Sequence, residues 1–126
     1  MHTLDSQLFF HFAQFVLLGV LAMTLHEAGH WIAALAVNVK VKAVGLCWKG
    51  LYTVREAGPP AKNLIISLAG PFSNIVLMIL WGHFYSHFSE ANMCFAVINL
   101  LPIRGSDGDR VLTCWREIQE NEVAQR

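Results

Sequence analysis

Residues 8–37 form a run of 30 residues with no Lys or Arg and a single acidic side chain, Glu27. As a helix that run would reach roughly 45 Å at about 1.5 Å per residue, more than the hydrocarbon core of a bilayer requires. It does not read as a cleavable signal peptide, because no basic segment precedes it and the apolar stretch is far too long. Nor does it suit a small soluble domain, which must cover a large surface-to-volume ratio with polar groups. The whole chain agrees with that reading: of 126 residues, 55% are hydrophobic and 14% charged, against a usual charged share of about 25%. Nine Lys and Arg balance nine Asp and Glu, so neither a nucleic-acid-binding nor a disordered chain is indicated. The length sets one domain, residues 1–126.

Two further apolar segments follow. One covers about residues 63–81 and carries Gly70, Pro71, Ser73 and Asn74 in its middle, a polar break that lipid-facing backbone would not tolerate. The other covers about residues 86–102. Its most apolar part is too short to cross alone as a straight helix, so it begins early or ends inside the membrane. Between the first two spans, residues 39–44 alternate apolar and basic, Leu51 to Val54 is rich in β-branched and aromatic residues, and Gly45 and Gly50 punctuate the stretch. A β-hairpin is expected over about residues 39–55. Pro59 and Pro60 close it and start the next helix. In the tail, Val111, Leu112, Trp115, Ile118 and Val123 recur at helical spacing, predicting a short amphipathic helix lying on the membrane or on the protein. The expected fold class is therefore an all-α membrane protein: a three-transmembrane-helix core with a small β-hairpin insertion and a short C-terminal amphipathic helix. Lys40, Lys42, Lys49, Arg55 and Lys62 lie between the first two spans, and Arg104, Arg110, Arg116 and Arg126 follow the third. With every basic residue on one side, the N-terminus is expected outside and the C-terminus inside.

The chemistry lies where the first span ends. His26-Glu27-Ala28-Gly29-His30 is an H-E-x-x-H pattern, whose i, i+4 spacing puts two imidazoles on one helix face where they can hold one Zn²⁺. Glu27 then stands beside the metal, placed to take a proton from a water and hand it to a leaving amine. Ionisable residues inside an apolar span are expensive and mark a functional site. Two histidines leave a catalytic zinc one protein ligand short. Asp107 leads as the third, because Pro102 ends the third helix and Gly105 and Gly108 let the chain turn its carboxylate back toward the bilayer. Asp109 could serve by position alone. Glu117 and Glu120 fall on the solvated face of the tail helix. His83 and His87 share the i, i+4 spacing but have no acid between them and read as a surface pair, while His11 reads as packed or interfacial. Cys47, Cys94 and Cys114 show no C-x-x-C spacing and read as small buried thiols.

With His-Glu-Ala-Gly-His in the first span, Ala69-Gly70-Pro71-Phe72-Ser73-Asn74 in the second and Asn99-x-x-Pro102-x4-Asp107-Gly108 in the third, the chain resembles the site-2 protease family of intramembrane zinc metalloproteases over about residues 20–110. The resemblance implies His26, His30 and Asp107 as zinc ligands and Glu27 as the catalytic base. It further implies Asn74 as a catalytic residue holding the scissile carbonyl or its oxyanion; on its own residues, a helix-to-helix hydrogen bond is the other use for this side chain. Asn99 is expected to tie down the end of the third helix.

The function expected is hydrolysis of peptide bonds in or near transmembrane segments of a membrane-protein substrate, a single-pass one by the resemblance. The hairpin at residues 39–54 is a candidate clamp, since a substrate helix must unwind and an exposed strand edge offers its backbone new partners. Two rivals are a non-catalytic relative that binds membrane segments in the same cleft and a metal-binding or transport protein. A bacterial cytoplasmic membrane, with the active site toward the cytoplasm and no appended PDZ or nucleotide-sensing domain, is the expected setting.

Overall fold

The computed structural model of the protein describes residues 2–47 and 50–126. Its elements run α1 (His2–Ala36), β1 (Val41–Cys47), β2 (Gly50–Arg55), α2 (Pro60–Trp81), α3 (Ser86–Leu100) and α4 (Asp107–Ala124). The hairpin connection at residues 48–49, with Lys49 of the charge argument, lies outside the described residues.

The end of α1 is set by a short-range motif. Asn38 takes a left-handed conformation (φ 57°), which Asn tolerates better than most residues. The Val39 N–H donates to the Ala34 carbonyl at 2.8 Å and the Asn38 N–H to the Leu35 carbonyl at 3.1 Å, the hydrogen-bond pair of a Schellman cap. The hydrophobic contact that usually accompanies this cap is present too, as Val39 and Ala34 pack with Ile66 of α2. The chain then reverses into the antiparallel pair β1–β2, in register from Ala43 opposite Val54 to Cys47 opposite Gly50. Pro60 opens α2 at the first helical position, where its missing N–H costs nothing.

Where the sequence predicts a break in the second span, α2 runs unbroken through Pro71. The reason is orientation: Gly70, Pro71 and Asn74 are buried. The backbone disturbance therefore faces protein and not lipid, which is where such irregularities are tolerated. Small residues let α1 and α2 approach closely. A Cβ on Gly29 would lie 2.8 Å from both the Ala69 carbonyl oxygen and Ser73 Oγ, the kind of contact that packs membrane helices.

α3 is short, as its most apolar part predicts. It has 15 residues, about 22 Å of helix, and ends because Leu101 precedes Pro102 and adopts an extended conformation (ψ 137°). Two helices, α1 from Ser6 and α2, are long and apolar enough to cross a membrane; α3 is shorter. The tail helix also starts earlier than its apolar periodicity predicts, at Asp107 itself. Ser106 caps it by accepting from the Asp109 N–H at 3.2 Å, and Asp109 Oδ2 accepts from the Gly105 N–H at 3.0 Å. Gly105 (φ 91°) makes the turn, whereas Gly108 sits inside the first turn of α4 against the Leu100 and Leu101 carbonyls, leaving no room for a Cβ.

One apolar cluster joins α1 and α3 through Ala22, Phe88 and Ala91. Almost none of the most apolar stretch of α1, and little more than a quarter of that of α2, is covered by the rest of the chain. Phe9, Phe10, Phe12, Phe15 and Leu17 all stand exposed. Apolar side chains left uncovered over two such helices fit a helical membrane protein.

Candidate metal centre

The buried polar and charged side chains among the described residues are His26, His30, Ser67, Asn74, Asn92 and Asp107. Five of them, all but Ser67, form one network with the backbone where α1, α2, α3 and the start of α4 meet. His26 Nε2 lies 2.9 Å from Asp107 Oδ2, His30 Nε2 lies 3.0 Å from the same oxygen, and the two Nε2 atoms are 3.2 Å apart. The structure thus brings together residues separated by up to 81 positions in the chain.

The hydrogen bonds behind this triangle fix what its corners present. The Ala22 carbonyl can only accept, so the atom of Asn74 facing it at 3.2 Å is Nδ2, which also donates to Asn92 Oδ1 at 2.7 Å. Asn92 is oriented in turn by donating from Nδ2 to the Phe88 carbonyl at 2.8 Å. Asn74 Oδ1 therefore faces His26, and His26 Nδ1 donates to it at 2.6 Å. His30 Nδ1 donates to the Ile66 carbonyl at 2.6 Å. A neutral imidazole has one N–H. With Nδ1–H engaged on both rings, both Nε2 atoms turn lone pairs toward Asp107 Oδ2.

Three electron-pair donors converging this closely call for a cation, and the spacing suits zinc. Ligands at about 2.0–2.1 Å around a tetrahedral zinc stand about 3.3 Å apart. The donor set of two imidazoles and a carboxylate, with each imidazole held by an acceptor on its other nitrogen, fits that metal. Backbone space is equally tight: a Cβ on Gly70 would collide with His30 Nε2 and lie 2.7 Å from His26 Nε2.

Glu27 is half-buried, with a carboxylate oxygen in the same group as the two histidine nitrogens, all within 4.8 Å of one another. Its Oε2 accepts from Thr53 Oγ1 of β2 at 3.1 Å, so the hairpin reaches the site through one hydroxyl. A cavity of about 570 Å³ opens over these groups, lined by Phe15, Met23, Tyr52, Arg55 and Arg110 besides the polar set.

The other candidates fall elsewhere. Asp109 is engaged in capping α4. Glu117 and Glu120 are exposed, as are His11, His83 and His87, and His87 Nδ1 stands 3.4 Å from Glu90 Oε2. Asn99 donates to the Phe95 carbonyl within α3 at 3.0 Å and lines the cavity. Of the thiols, Cys114 is buried but Cys94 is exposed, contrary to expectation, because its face of α3 looks outward onto the cavity; the Cys47 side chain lies outside the described residues. Sequence reasoning missed Asn92, Thr53 and the Ile66 carbonyl. Only Asn92 left a signal, as an amide within an apolar segment.

No family model matches the chain. Among curated proteins it is 28% identical over 106 residues to Stage IV sporulation protein FB of Bacillus subtilis (strain 168), a match that covers 74% of this chain and 37% of that protein. The chain thus spans little more than a third of that relative's length, and the likeness is consistent with the resemblance carried by the three motifs.

Proposed function

We propose that the protein is an intramembrane zinc metalloendopeptidase that cuts membrane-protein substrates in or near their transmembrane segments. The observation that carries the reading is the convergence of His26 Nε2, His30 Nε2 and Asp107 Oδ2 within 3.2 Å, with Glu27 beside them on a helix long enough to cross a membrane.

His26, His30 and Asp107 would hold the metal. When bound, zinc supplies a Lewis acid that polarises the scissile carbonyl and lowers the pKa of the attacking water. Glu27 accepts the proton of that water and returns it to the departing amide nitrogen. Thr53 holds one Glu27 oxygen and leaves the other free for this transfer. Asn74, committed on three sides to His26, Ala22 and Asn92, acts as a positioning residue for His26 and not as a contact for the oxyanion. β2 contributes Tyr52, Thr53 and Arg55 to the cavity wall, and its outer edge would pair with an unwound substrate backbone.

The short α3 suits a three-span arrangement. Helix of about 22 Å stops about 8 Å short of crossing a core of about 30 Å. His30 lies six residues before the end of α1, about 9 Å along the helix axis. Ending α3 early is what lets Asp107 meet the histidines at their depth. With the basic residues inside, the centre faces the cytoplasmic half of the bilayer and water reaches it from that side.

The test pairs zinc content by mass spectrometry with cleavage of a panel of single-span proteins, for wild type and Glu27→Gln. Zinc near one per chain in both proteins with cleavage by wild type alone is expected. Cleavage that survives Glu27→Gln would overturn the reading, and zinc in both with cleavage in neither would favour a protein that binds membrane segments without cutting them.

A further inference from the structure

The cavity over the candidate centre is polarised along its length. On one side it shares Phe15, Met23, Cys94 and Phe95 with an apolar groove of about 460 Å³ between α1 and α3, where Gly19 leaves open space. On the other it shares Arg55 and Arg110 with a second cavity of about 340 Å³. The histidines, Glu27 and Asp107 lie on the cavity that joins the two.

At the arginine end Glu56 also lines the second cavity, but it does not reach either arginine. Arg55 is half-buried, and its guanidinium, with five N–H donors, makes one weak side-chain bond, to Ser67 Oγ at 3.4 Å. Among the described residues neither arginine forms an ion pair with a carboxylate. Each nearby acid is engaged elsewhere: Asp107 with the histidines, Glu27 with Thr53, Asp109 with the Gly105 N–H and Glu56 with Lys42 at 3.9 Å. Burial, and after it the like charge of Arg110, push the Arg55 guanidinium below its ordinary pKa, against the weaker opposite pull of Asp107 and Glu27. Two neighbouring cations, one of them half-buried and neither paired directly with a carboxylate among the described residues, form a receptor for a carboxylate, which a guanidinium binds through paired N–H groups.

We propose that Arg55 and Arg110 bind an acidic side chain of the substrate, so that the protein selects membrane segments whose apolar stretch runs directly into Asp or Glu. The apolar stretch occupies the α1–α3 groove, the scissile bond lies over the centre, and the carboxylate sits at the arginine end. This names the substrate class of the site and rests on the peptidase reading for cleavage alone, not for binding.

The test measures binding to full-length protein carrying Glu27→Gln, in phosphatidylcholine nanodiscs. The probes are three fluorescent peptides with one Leu-Ala membrane segment followed by Asp-Asp, Asn-Asn or Lys-Lys. The Asp peptide is expected to bind about tenfold tighter than the Asn peptide, the order expected for hydrogen bonds between charged groups at a half-buried site. Arg55→Gln with Arg110→Gln should abolish that difference. Arg55→Glu with Arg110→Glu should reverse it in favour of Lys, a gain that misfolding cannot produce. Equal binding of all three peptides overturns the proposal, as does loss of phosphatidylglycerol-vesicle binding in the arginine variants with no change in peptide discrimination, which would assign the pair to lipid phosphate. Charge discrimination without cleavage by wild type supports the anion-binding end while contradicting the peptidase reading. Cleavage of all three peptides at equal rates and affinities does the opposite.

Discussion

His26 and His30 stand four residues apart, and so do His83 and His87, yet the two pairs have nothing else in common. The first pair is buried, each ring held by an acceptor on Nδ1 and aimed through Nε2 at one Asp107 oxygen. The second straddles the turn into α3: His83 is exposed, and the His87 side chain, 67% exposed, has the equally open Glu90 as its polar partner among the described residues. Spacing makes a pair of ligands possible. What turns the possibility into a candidate centre is a glycine opposite the rings, acceptors behind them and a carboxylate delivered by a helix start far along the chain.

That contrast can be broken most decisively at the carboxylate. Asp107→Ala or His26→Ala should lower zinc affinity by more than about 100-fold, since loss of a partner behind a ligand alone costs about 10–100-fold. His87→Ala should leave zinc content unchanged, and equal losses at the two pairs would erase the distinction. Gly70→Ala should match the loss in Asp107→Ala, because the added methyl collides with the histidine rings. Zinc titration against a competing chelator reads both. A smaller effect, about 10–100-fold in zinc affinity, is expected for Asn92→Leu, which removes the acceptor that helps orient Asn74 and through it His26.

Thr53→Val should leave zinc content intact and reduce the rate of cleavage by about 3- to 10-fold, the size of one lost hydrogen bond, with Thr53→Ser restoring it. A fall in zinc content would mean that the hairpin supports the metal ligands and not Glu27. Smallest is Asp109→Ala, expected to cost about 1 kcal/mol of stability through the lost cap and to spare zinc binding. Thermal denaturation beside metal analysis separates that outcome from a role for Asp109 as a ligand.

What the sequence could reveal followed the range of the interactions. His26, Glu27 and His30 were legible because a helix turns local spacing into a shared face. The close of the hairpin was legible because Pro59 and Pro60 act within a few residues, whereas the Asn38 cap of α1 emerged only from the structure. Asp107 was legible as a candidate, but not as the first residue of α4, since the amphipathic pattern that marks the helix begins later. Of the orienting groups, only the buried amides Asn74 and Asn92 left a trace, as polar residues within apolar segments. The Ile66 carbonyl carries no side-chain signature, and Thr53 looks like any strand residue until the hairpin folds onto α1. Pro71 misled because proline signals a break without saying whether the disturbed backbone faces lipid or protein.

The most direct test of the centre itself is X-ray absorption at the zinc edge on purified wild type and Asp107→Ala. Two imidazole nitrogens with oxygen completing the shell in wild type, and loss of bound zinc in Asp107→Ala, is the predicted result. Sulfur ligation, a single imidazole, or a spectrum unchanged by Asp107→Ala would contradict it.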